Sequence, residues 1–339
     1  MSLETRKAGI VGAGGYTGYE LIRIINTHPG LELAYVQSEG LAGRPVSSVY
    51  PWMKNDTVFS PRDELKGLFD TDIVFTCLPA GESMKIIPQL VDSGLRVVDL
   101  GPDYRLHPAS AFESVYKTKH TDARNLQNSV YGLTEINRSM ISEASVVANP
   151  GCYPTAALLA LVPLSDIVGG SIVIDAKSGT SGAGKEPTLF THHSEIGENI
   201  RPYSVNTHRH IAEISEVLSN ITGRTQPFMF VPHLVPIVRG IEETIYLYDT
   251  DASEAEKRLS SFYADSPFVH IEHDCSLNMV SASNHCFIDV RQAGSNTILL
   301  VFIDNLMKGA SGQAVQNANI MLSFPEEAGL TAAPSGVGR

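Results

Sequence analysis

The sequence has few cysteines, and they do not stand in a pattern that would pair them. Cys77, Cys152, Cys275 and Cys286 are the four cysteines among 339 residues, and none has a C-x-x-C partner. Disulfide-stabilised secreted domains and zinc ribbons depend on closely spaced cysteines, so both classes are disfavoured. We therefore expect unbridged thiols. Cys77 and Cys286 lie in strand-like apolar runs, where a thiol usually serves as a small hydrophobic side chain.

The sequence also lacks an excess of positive charge and an uninterrupted apolar segment. Its 25 basic and 37 acidic side chains give a net charge of -12, which disfavours binding to a nucleic acid backbone. The uncharged run 145–165 is broken by Pro150, Pro154 and Pro163, so it predicts a strand, a turn and a helix rather than a membrane span. The first residues carry no apolar signal region. We expect a cytoplasmic protein with no nucleic acid or membrane partner.

A metal-binding pattern is missing as well. His192, His193, His208 and His210 are close in sequence, but no cysteine partner or third-ligand spacing completes a zinc site. We expect no bound metal, and we expect His192 and His193 to be solvated or satisfied within the core.

The sequence does contain enough chain and apolar periodicity for two domains. Within residues 1–150, apolar runs alternate with helical patterns, which predicts an α/β fold with a Rossmann-type, doubly wound parallel sheet. Beyond residue 171 strand patterns follow one another with few helices between them. This indicates a second, α+β domain with a largely antiparallel sheet. A last helix is predicted over 305–321, before a tail rich in glycine, alanine and proline.

A glycine-rich turn joins the first predicted strand to the first predicted helix. At the start of the predicted helix, Thr17 and Glu20 have the T-x-x-E spacing of a capping box. Backbone N–H groups and the helix dipole at such a turn bind a pyrophosphate. The spacing is G-x-x-G-x-x-G rather than G-x-G-x-x-G, and the alternative is a tight turn that needs glycine for packing. We predict that a dinucleotide contacts Gly12, Gly14, Gly15, Tyr16, Thr17 and Gly18.

The end of the second predicted strand indicates which dinucleotide is bound. An Asp or Glu there would hold the two ribose hydroxyls of NAD, but Gln37 and Ser38 are neutral. We therefore predict NADP, with Ser38 and Arg44 as candidates for the 2'-phosphate. Glu39, one position further on, could reverse this preference.

Cys152 follows a predicted strand and precedes a predicted helix, 155–161, in the segment Asn149-Pro-Gly-Cys-Tyr-Pro-Thr155. The N-terminus of a helix lowers a thiol pKa, and the thiolate is the nucleophilic form. We predict that Cys152 is a nucleophile. The alternative is a small apolar residue in a tight corner.

Two imidazoles could serve such a nucleophile. His208 and His210 stand at the start of an amphipathic helical pattern, and histidine exchanges protons near neutral pH. We predict that one of them pairs with Cys152, and the residues leave open which one.

The segment Ser178 to Lys185 resembles a phosphate-binding P-loop, but Glu186 stands where that motif needs Ser or Thr. A nucleoside triphosphatase is therefore rejected. We still expect this loop to present backbone N–H groups to an anion or a cofactor.

These motifs together resemble the N-acetyl-gamma-glutamyl-phosphate reductases, relatives of aspartate-semialdehyde dehydrogenase. The resemblance covers nearly the whole chain, and Pro-Gly-Cys152-Tyr-Pro-Thr with His208-Arg-His210 is its most specific part. Two departures occur: Ala212 stands where the family usually has proline, and the segment Leu78 to Gly81 lacks a histidine often found there. Neither removes a group that the chemistry needs.

The resemblance implies an enzyme that reduces N-acetyl-L-glutamyl 5-phosphate to the 5-semialdehyde with NADPH, through a thioester on Cys152. It also implies that the last helix returns to the first domain, so that 1–150 with 305–339 forms the NADP-binding domain and 151–304 the catalytic and oligomerisation domain. A homodimer or homotetramer is expected. Ser181, Gly182 and Asn305 should flank the nicotinamide. The candidates for substrate binding are Arg105, Arg201, Arg209, Glu213 and Arg239.

Two alternatives remain open at this stage. The same chemistry could act on an aminoadipyl phosphate of lysine synthesis, although an acidic chain is poorly suited to an acidic carrier protein. A non-catalytic NADP sensor could keep the fold, but the presence of Cys152, His208 and His210 argues against it.

Overall fold

The computed structural model describes residues 3–336. Its strands are β1 (Arg6–Val11), β2 (Leu31–Gln37), β3 (Phe59–Ser60), β4 (Ile73–Thr76), β5 (Arg96–Asp99), β6 (Val130–Tyr131), β7 (Val146–Ala148), β8 (Ile172–Ser178), β9 (Arg201–Pro202), β10 (Phe228–Leu234), β11 (Ile241–Leu247), β12 (Val269–Ile271), β13 (Cys286–Ala293) and β14 (Asn296–Ile303). Its helices are α1 (Tyr16–Ile25), α2 (Val46–Val49), α3 (Ser83–Asp92), α4 (Ala109–Tyr116), α5 (Ala123–Asn128), α6 (Thr134–Glu143), α7 (Cys152–Leu161), α8 (His193–Ile196), α9 (His210–Thr222), α10 (Ala252–Phe262) and α11 (Gly312–Met321).

The chain divides into two compact units. Of the described residues, the first contains 3–150 together with Ala310–Thr331, and the second contains Gly151–Gly309 together with 332–336.

The first unit is built on a seven-stranded sheet in the order β3-β2-β1-β4-β5-β7-β6. Every neighbouring pair in it is parallel. Strands β4 and β7 are short apolar runs buried on both faces, as parallel strands between helix layers are expected to be. The predicted Rossmann-type sheet is confirmed. Chain order reverses between β1 and β4, and ligands of such sheets bind at the carboxyl ends of the strands at that point.

The last helix belongs to this unit and packs against α6 and α1. It begins later than predicted: Met307–Ser311 forms a π-helical turn, and α11 starts at Gly312. Polar side chains anchor it, since the Asn317 amide donates to the carbonyl of Gly132 and accepts from the hydroxyl of Thr134.

The second unit is built on a mixed, mostly antiparallel seven-stranded sheet in the order β12-β13-β14-β11-β8-β10-β9. The predicted second fold class is also confirmed. Buried and half-exposed residues alternate along β8 and β11, so one face of the sheet is covered while the other stays partly open. Helix α7 is apolar on all sides and buried from Tyr153 to Leu161. Contrary to the expectation of few helices here, α9 and α10 are both long.

One local prediction, the capping box at the start of α1, was wrong. Helix α1 begins at Tyr16, with Gly15 as its N-cap and no capping side chain, so the T-x-x-E box is not formed. Glu20 is instead buried and paired with Arg23. Among the described residues, no helix is both long and apolar enough to cross a membrane.

Candidate active site

The glycine turn lies at the carboxyl end of β1, where the strand order of the first sheet reverses. Gly12 has a φ of +83°, and a Cβ there would lie 2.5 Å from the carbonyl oxygen of Cys77. A Cβ on Gly18 would lie 2.4 Å from the Cα of Ala13. Glycine is therefore required at both positions, by backbone conformation at Gly12 and by the close approach of helix α1 to the turn after β1 at Gly18.

The first turn of α1 fits a dinucleotide pyrophosphate. It has no acidic residue and no side-chain cap. A Cβ on Gly15 would meet no atom within 4 Å, so a ligand can approach the backbone there. Helix N-terminal N–H groups with these properties bind anions. The side chain of Tyr16 is exposed beside this turn, and Thr17 is half-buried.

The side chains at and just after the end of β2 lie beside the glycine turn. The Gln37 amide oxygen accepts the N–H of Gly12 at 2.9 Å, so this side chain holds the glycine turn. Ser38 is buried, and its Oγ would lie 2.8 Å from a Cβ on Gly14. Glu39, the acidic residue considered in favour of NAD, accepts the backbone N–H of Arg62 at 2.9 Å. Arg44 is exposed.

In the second unit, Cys152 is the first residue of α7, three positions before the predicted start of that helix. Gly151 is the N-cap, with extended backbone, and the side chain of Cys152 is half-buried. The thiol therefore lies in the first turn, where the dipole favours negative charge. None of the cysteines in the described part of the chain forms a disulfide.

The carboxylate of Glu213 supports this turn. Its Oε1 accepts the N–H of Gly151 at 2.8 Å, and the side chain is only 2% exposed. Glu213 was predicted to bind substrate, but the structure places it under the backbone that carries Cys152. The buried carboxylate therefore holds the backbone turn that precedes Cys152.

The two histidines of the His-Arg-His segment lie together beside α7. Their ring centroids are 4.6 Å apart. A Cβ on Gly151 would lie 2.6 Å from Nε2 of His210, so this imidazole packs directly against the residue that precedes Cys152. His210 is therefore the imidazole that the geometry places nearest the backbone of the thiol.

His208 has a different chemical state. Its Nδ1 accepts the backbone N–H of His210 at 3.1 Å, so the neutral ring carries its hydrogen on Nε2. Burial and the neighbouring guanidinium of Arg209 lower the pKa of His208 to about 4. At neutral pH His208 is an uncharged hydrogen-bond donor.

Two tyrosines near this group were not predicted as site residues. The hydroxyls of Tyr153 and Tyr203 lie 3.1 Å apart, and the ring of each makes an edge contact with His208. Burial raises the pKa of both phenols, and the charge of Cys152 adds to this. Tyr153 could have been noticed from its place beside Cys152, but nothing in the sequence around Tyr203 marks it.

The segment 304–309 borders Cys152 from the other side. A Cβ on Gly309 would lie 2.9 Å from the Cβ of Cys152, so the glycine is needed for this contact. Asn305 donates to Oγ of Ser181 at 2.9 Å and accepts the N–H of Gly240 at 2.7 Å. The predicted residues Asn305 and Ser181 are thus brought together, and Gly182 lies beside them.

The loop after β8 does not present the row of open N–H groups that we expected. Its backbone N–H groups already donate to backbone carbonyls; the donors are Gly179, Thr180, Ser181, Gly182 and Gly184. The sequence could not show this because three of the acceptors, Ile237, Val238 and Gly240, lie in a distant turn.

The four candidate arginines have different surroundings. Arg239 makes a bidentate ion pair with the buried carboxylate of Asp304. Arg105 is buried in the first unit and donates to the carbonyl of Leu100 at 2.8 Å. Arg201 is exposed and stacks over the ring of Phe190, and Arg209 is exposed beside His208. The structure groups Arg209 with the histidines and Arg239 with the segment beside Cys152.

Among residues 3–336, no three His, Cys, Asp or Glu side chains are grouped so that they could hold a metal ion. His192 and His193 are exposed.

Two family models match the chain, one for each unit. The model described as "Semialdehyde dehydrogenase, NAD binding domain" matches residues 7–144, and "Semialdehyde dehydrogenase, dimerisation domain" matches residues 152–305. A solved aspartate semialdehyde dehydrogenase II from Vibrio cholerae has a similar fold, with a TM-score of 0.74 at 20% identity over 94% of this chain and 99% of that one. An aspartate semialdehyde dehydrogenase from Candida albicans, solved with NADP, gives a TM-score of 0.67 at 18% identity over 94% and 98%. These likenesses define the fold and the class, an oxidoreductase with a nicotinamide cofactor.

Curated relatives of higher sequence identity define the family more narrowly. N-acetyl-gamma-glutamyl-phosphate reductases from Desulforudis audaxviator and Methanocella arvoryzae are 44% and 42% identical over 96% of this chain and 97% of each relative. The enzyme of that name from Neisseria gonorrhoeae is 42% identical over 97% of this chain and 98% of the relative. The chain therefore belongs to the N-acetyl-gamma-glutamyl-phosphate reductase family.

Proposed function

We propose that this enzyme reduces N-acetyl-L-glutamyl 5-phosphate to N-acetyl-L-glutamate 5-semialdehyde and phosphate with NADPH, as a step of arginine biosynthesis. The observation that carries the proposal is the position of Cys152 at the first residue of α7, with the His210 ring packed against Gly151. The names of relatives that match nearly the whole chain support this substrate rather than an aminoadipyl phosphate.

The chemistry begins with the thiol. His210 takes the proton of Cys152, and the thiolate attacks the acyl carbon of the substrate. The carbon–oxygen bond to phosphate breaks, phosphate leaves, and a thioester remains on the sulfur. The helix dipole of α7 stabilises the thiolate and the oxyanion that forms at the attacked carbon.

When bound, the nicotinamide cofactor supplies the hydride that reduces the thioester. Gly14, Gly15 and the first turn of α1 would hold its pyrophosphate, and Ser38 with Arg44 would contact the 2'-phosphate of NADP. On the protein side, the sulfur carries the reduced carbon as a thiohemiacetal whose oxygen takes the proton held by His210. His210 takes this proton back as the carbon–sulfur bond breaks, the aldehyde leaves, and the thiolate is restored.

His208 has a supporting part in this scheme. Because burial and Arg209 lower its pKa to about 4 and the N–H of His210 occupies its Nδ1, His208 is a weak proton acceptor, and its Nε2 donates a hydrogen bond instead. We therefore assign the acid–base role to His210.

We further propose that the protein works in the cytoplasm as a homodimer or homotetramer. The dimerisation domain of its family, which matches 152–305, supports association of copies through the second unit. Unbridged cysteines are typical of a reducing compartment.

One assay tests the proposed reaction. NADP reduction is followed with N-acetyl-glutamate semialdehyde and phosphate, for the wild type, Cys152→Ser and the control Cys275→Ser. Cys275 is a suitable control because acidic neighbours and burial raise its pKa to about 11. We expect turnover by the wild type and the control, and a loss of at least about a thousandfold in Cys152→Ser.

Full activity of Cys152→Ser would refute the thioester mechanism. Selective turnover of the one-carbon-longer semialdehyde would instead identify an enzyme of lysine synthesis. NADP binding without any turnover by the wild type would indicate a sensor.

A further inference from the structure

A buried carboxylate in the second unit joins three separate segments of the chain. Asp304 is fully buried and accepts five hydrogen bonds: from Nε and Nη2 of Arg239 at 2.9 and 3.1 Å, and from the backbone N–H groups of Leu306, Met307 and Ala282 at 2.8, 3.0 and 2.6 Å. A buried carboxylate is stable only when it is paired and fully hydrogen-bonded, and this one is.

The first of these segments carries Arg239. Its side chain is about a quarter exposed, at 23%, while the side chain of Asp304 that holds it is at 0%. Two parallel bonds to one carboxylate fix the plane of a guanidinium, which a single bond would leave free to rotate. The buried partner therefore presents the outer edge of Arg239 in a set direction.

The second segment is the turn that borders Cys152. Both oxygen atoms of Asp304 are shared, and Oδ1 takes the N–H groups of Leu306 and Met307 in addition to Arg239. The carbonyl of Asp304 accepts the N–H of Gly309 at 2.9 Å, and Gly309 packs against the Cβ of Cys152. The same residue thus holds an arginine and the backbone that touches the nucleophile.

We propose that Asp304 is a positioning residue that sets Arg239 at a fixed place relative to Cys152, so that Arg239 can bind an anionic group of the substrate while the thiolate attacks. This inference rests on the function proposed above. It assigns Asp304 no contact with substrate: Asp304 acts through Arg239.

The test uses Asp304→Asn, Arg239→Lys and the double variant in the NADP-reducing direction. Asn keeps an oxygen for the backbone N–H groups but loses the charge that pairs with Arg239. Lys keeps the charge of Arg239 but cannot make the bidentate ion pair. Each single variant should raise the KM of phosphate or of the semialdehyde by about tenfold to a hundredfold, with a smaller change in kcat.

The double variant separates positioning from general structural damage. If Asp304 acts through Arg239, the KM of the double variant should be no higher than that of the worse single variant. Asp289→Asn is a matched control, because Asp289 is equally buried in the same unit and is held by Nε and Nη2 of Arg291. The control should lose stability while both KM values stay within about twofold of the wild type.

Three results would overturn the proposal: unchanged KM values in Arg239→Lys, unchanged KM values in a folded Asp304→Asn, or losses that multiply in the double variant. Should Asp304→Asn not fold, Arg239→Lys alone decides the outcome. If the wild type does not reduce NADP with the semialdehyde and phosphate, the proposed function is refuted, and this result does not by itself test the role of Asp304. Protection of Cys152 from iodoacetamide by phosphate or N-acetyl-glutamate then compares the same variants without catalysis, and equal protection in all of them would refute the positioning role.

Discussion

The four cysteines show how strongly the surroundings set the chemistry of one residue type. Burial raises the pKa of Cys77 to about 12, and burial with nearby carboxylates raises that of Cys275 to about 11. Both thiols are therefore protonated at neutral pH and are poor nucleophiles. Cys152 instead stands at a helix N-terminus, half-buried, beside an imidazole. Of these three, only Cys152 has surroundings that favour the thiolate.

The pH dependence of activity should distinguish the two histidines. The lowered pKa of His208, about 4, means that it stays neutral as pH rises from about 5 to 8 and does not titrate in that range. His208→Gln should therefore leave the acidic limb of the kcat/KM profile where it is. His210→Gln should lower kcat by about a hundredfold to ten-thousandfold, because the base is lost. A shifted acidic limb in His208→Gln would assign the base to His208.

Gly309→Ala should damage catalysis without unfolding the protein. The new methyl group would lie 2.9 Å from the Cβ of Cys152 and would displace the thiol. We expect kcat to fall at least about tenfold, since small misplacements of a reacting group are costly. Gly169→Ala is the control, because a Cβ there meets no atom within 4 Å. Equal kcat values for the two variants would contradict this account.

Glu243 should be a source of instability. It is fully buried on β11, and neither of its carboxylate oxygens has a hydrogen-bond partner. Burial, with repulsion from Glu242, raises its pKa well above 4.5, and Lys177 only partly offsets this. A carboxyl whose pKa is higher in the folded state loses its stabilising effect as pH rises through that value.

Glu243→Met should therefore stabilise the protein, by about 1–3 kcal/mol near neutral pH, with a larger gain at higher pH. Thermal unfolding at pH 6 and pH 9 measures the difference. A variant that melts lower than the wild type at both values would show that the carboxyl has a partner after all. Glu242→Met, on the half-exposed side of the same strand, is the control and should change stability less.

At the scale of elements, the patterns in the sequence located the strands better than the helix ends. The strand before Cys152 and the glycine turn after β1 were both predicted from apolar runs and turn residues. The starts of α1 and α7 were not. A capping box needs the glutamate side chain to bond to the N-cap backbone. Here the side chain of Glu20 pairs with Arg23 instead. Helix α7 includes Cys152 because Pro154 is tolerated in the first turn of a helix.

Cofactor preference should depend on the end of β2. Ser38→Asp places a carboxylate where the 2'-phosphate of NADP is expected, and it can hold the ribose hydroxyls of NAD. We expect the ratio of kcat/KM for NADP over NAD to fall by about tenfold to a hundredfold. Ser48→Asp adds the same charge on α2, at an exposed position, and should leave the ratio unchanged. An unchanged ratio in Ser38→Asp would place the 2'-phosphate elsewhere.

At the scale of the whole molecule, the half-open face of the second sheet should be the contact between copies. The family model that matches 152–305 describes a dimerisation domain. On this face, residues such as Val231 and Tyr246 are only half-buried. Val231→Lys with Tyr246→Lys should shift the mass measured by light scattering toward the monomer, because unpaired charges are costly in an interface. Ile221→Lys, on an exposed position of α9, should not. A normal assembly in the double variant would exclude this face.

Sequence alone determined the features that depend on neighbouring residues. Apolar periodicity set the two fold classes, glycines set the turn after β1, and the residues around Cys152 predicted a strand that leads into a helix at this cysteine. These were predictable because each depends on a few adjacent side chains and their backbone preferences.

Tertiary structure decided which distant groups meet. The carboxylate of Glu213 accepts the N–H of Gly151, and that of Asp304 pairs with Arg239. The carbonyls of Ile237 and Val238 accept backbone N–H groups of the loop after β8. Each of these contacts joins residues far apart in the chain, so no local sequence pattern predicts it. Burial then determines protonation, as for His208 and Glu243, since the cost of charge depends on the packing around a group rather than on its neighbours in sequence.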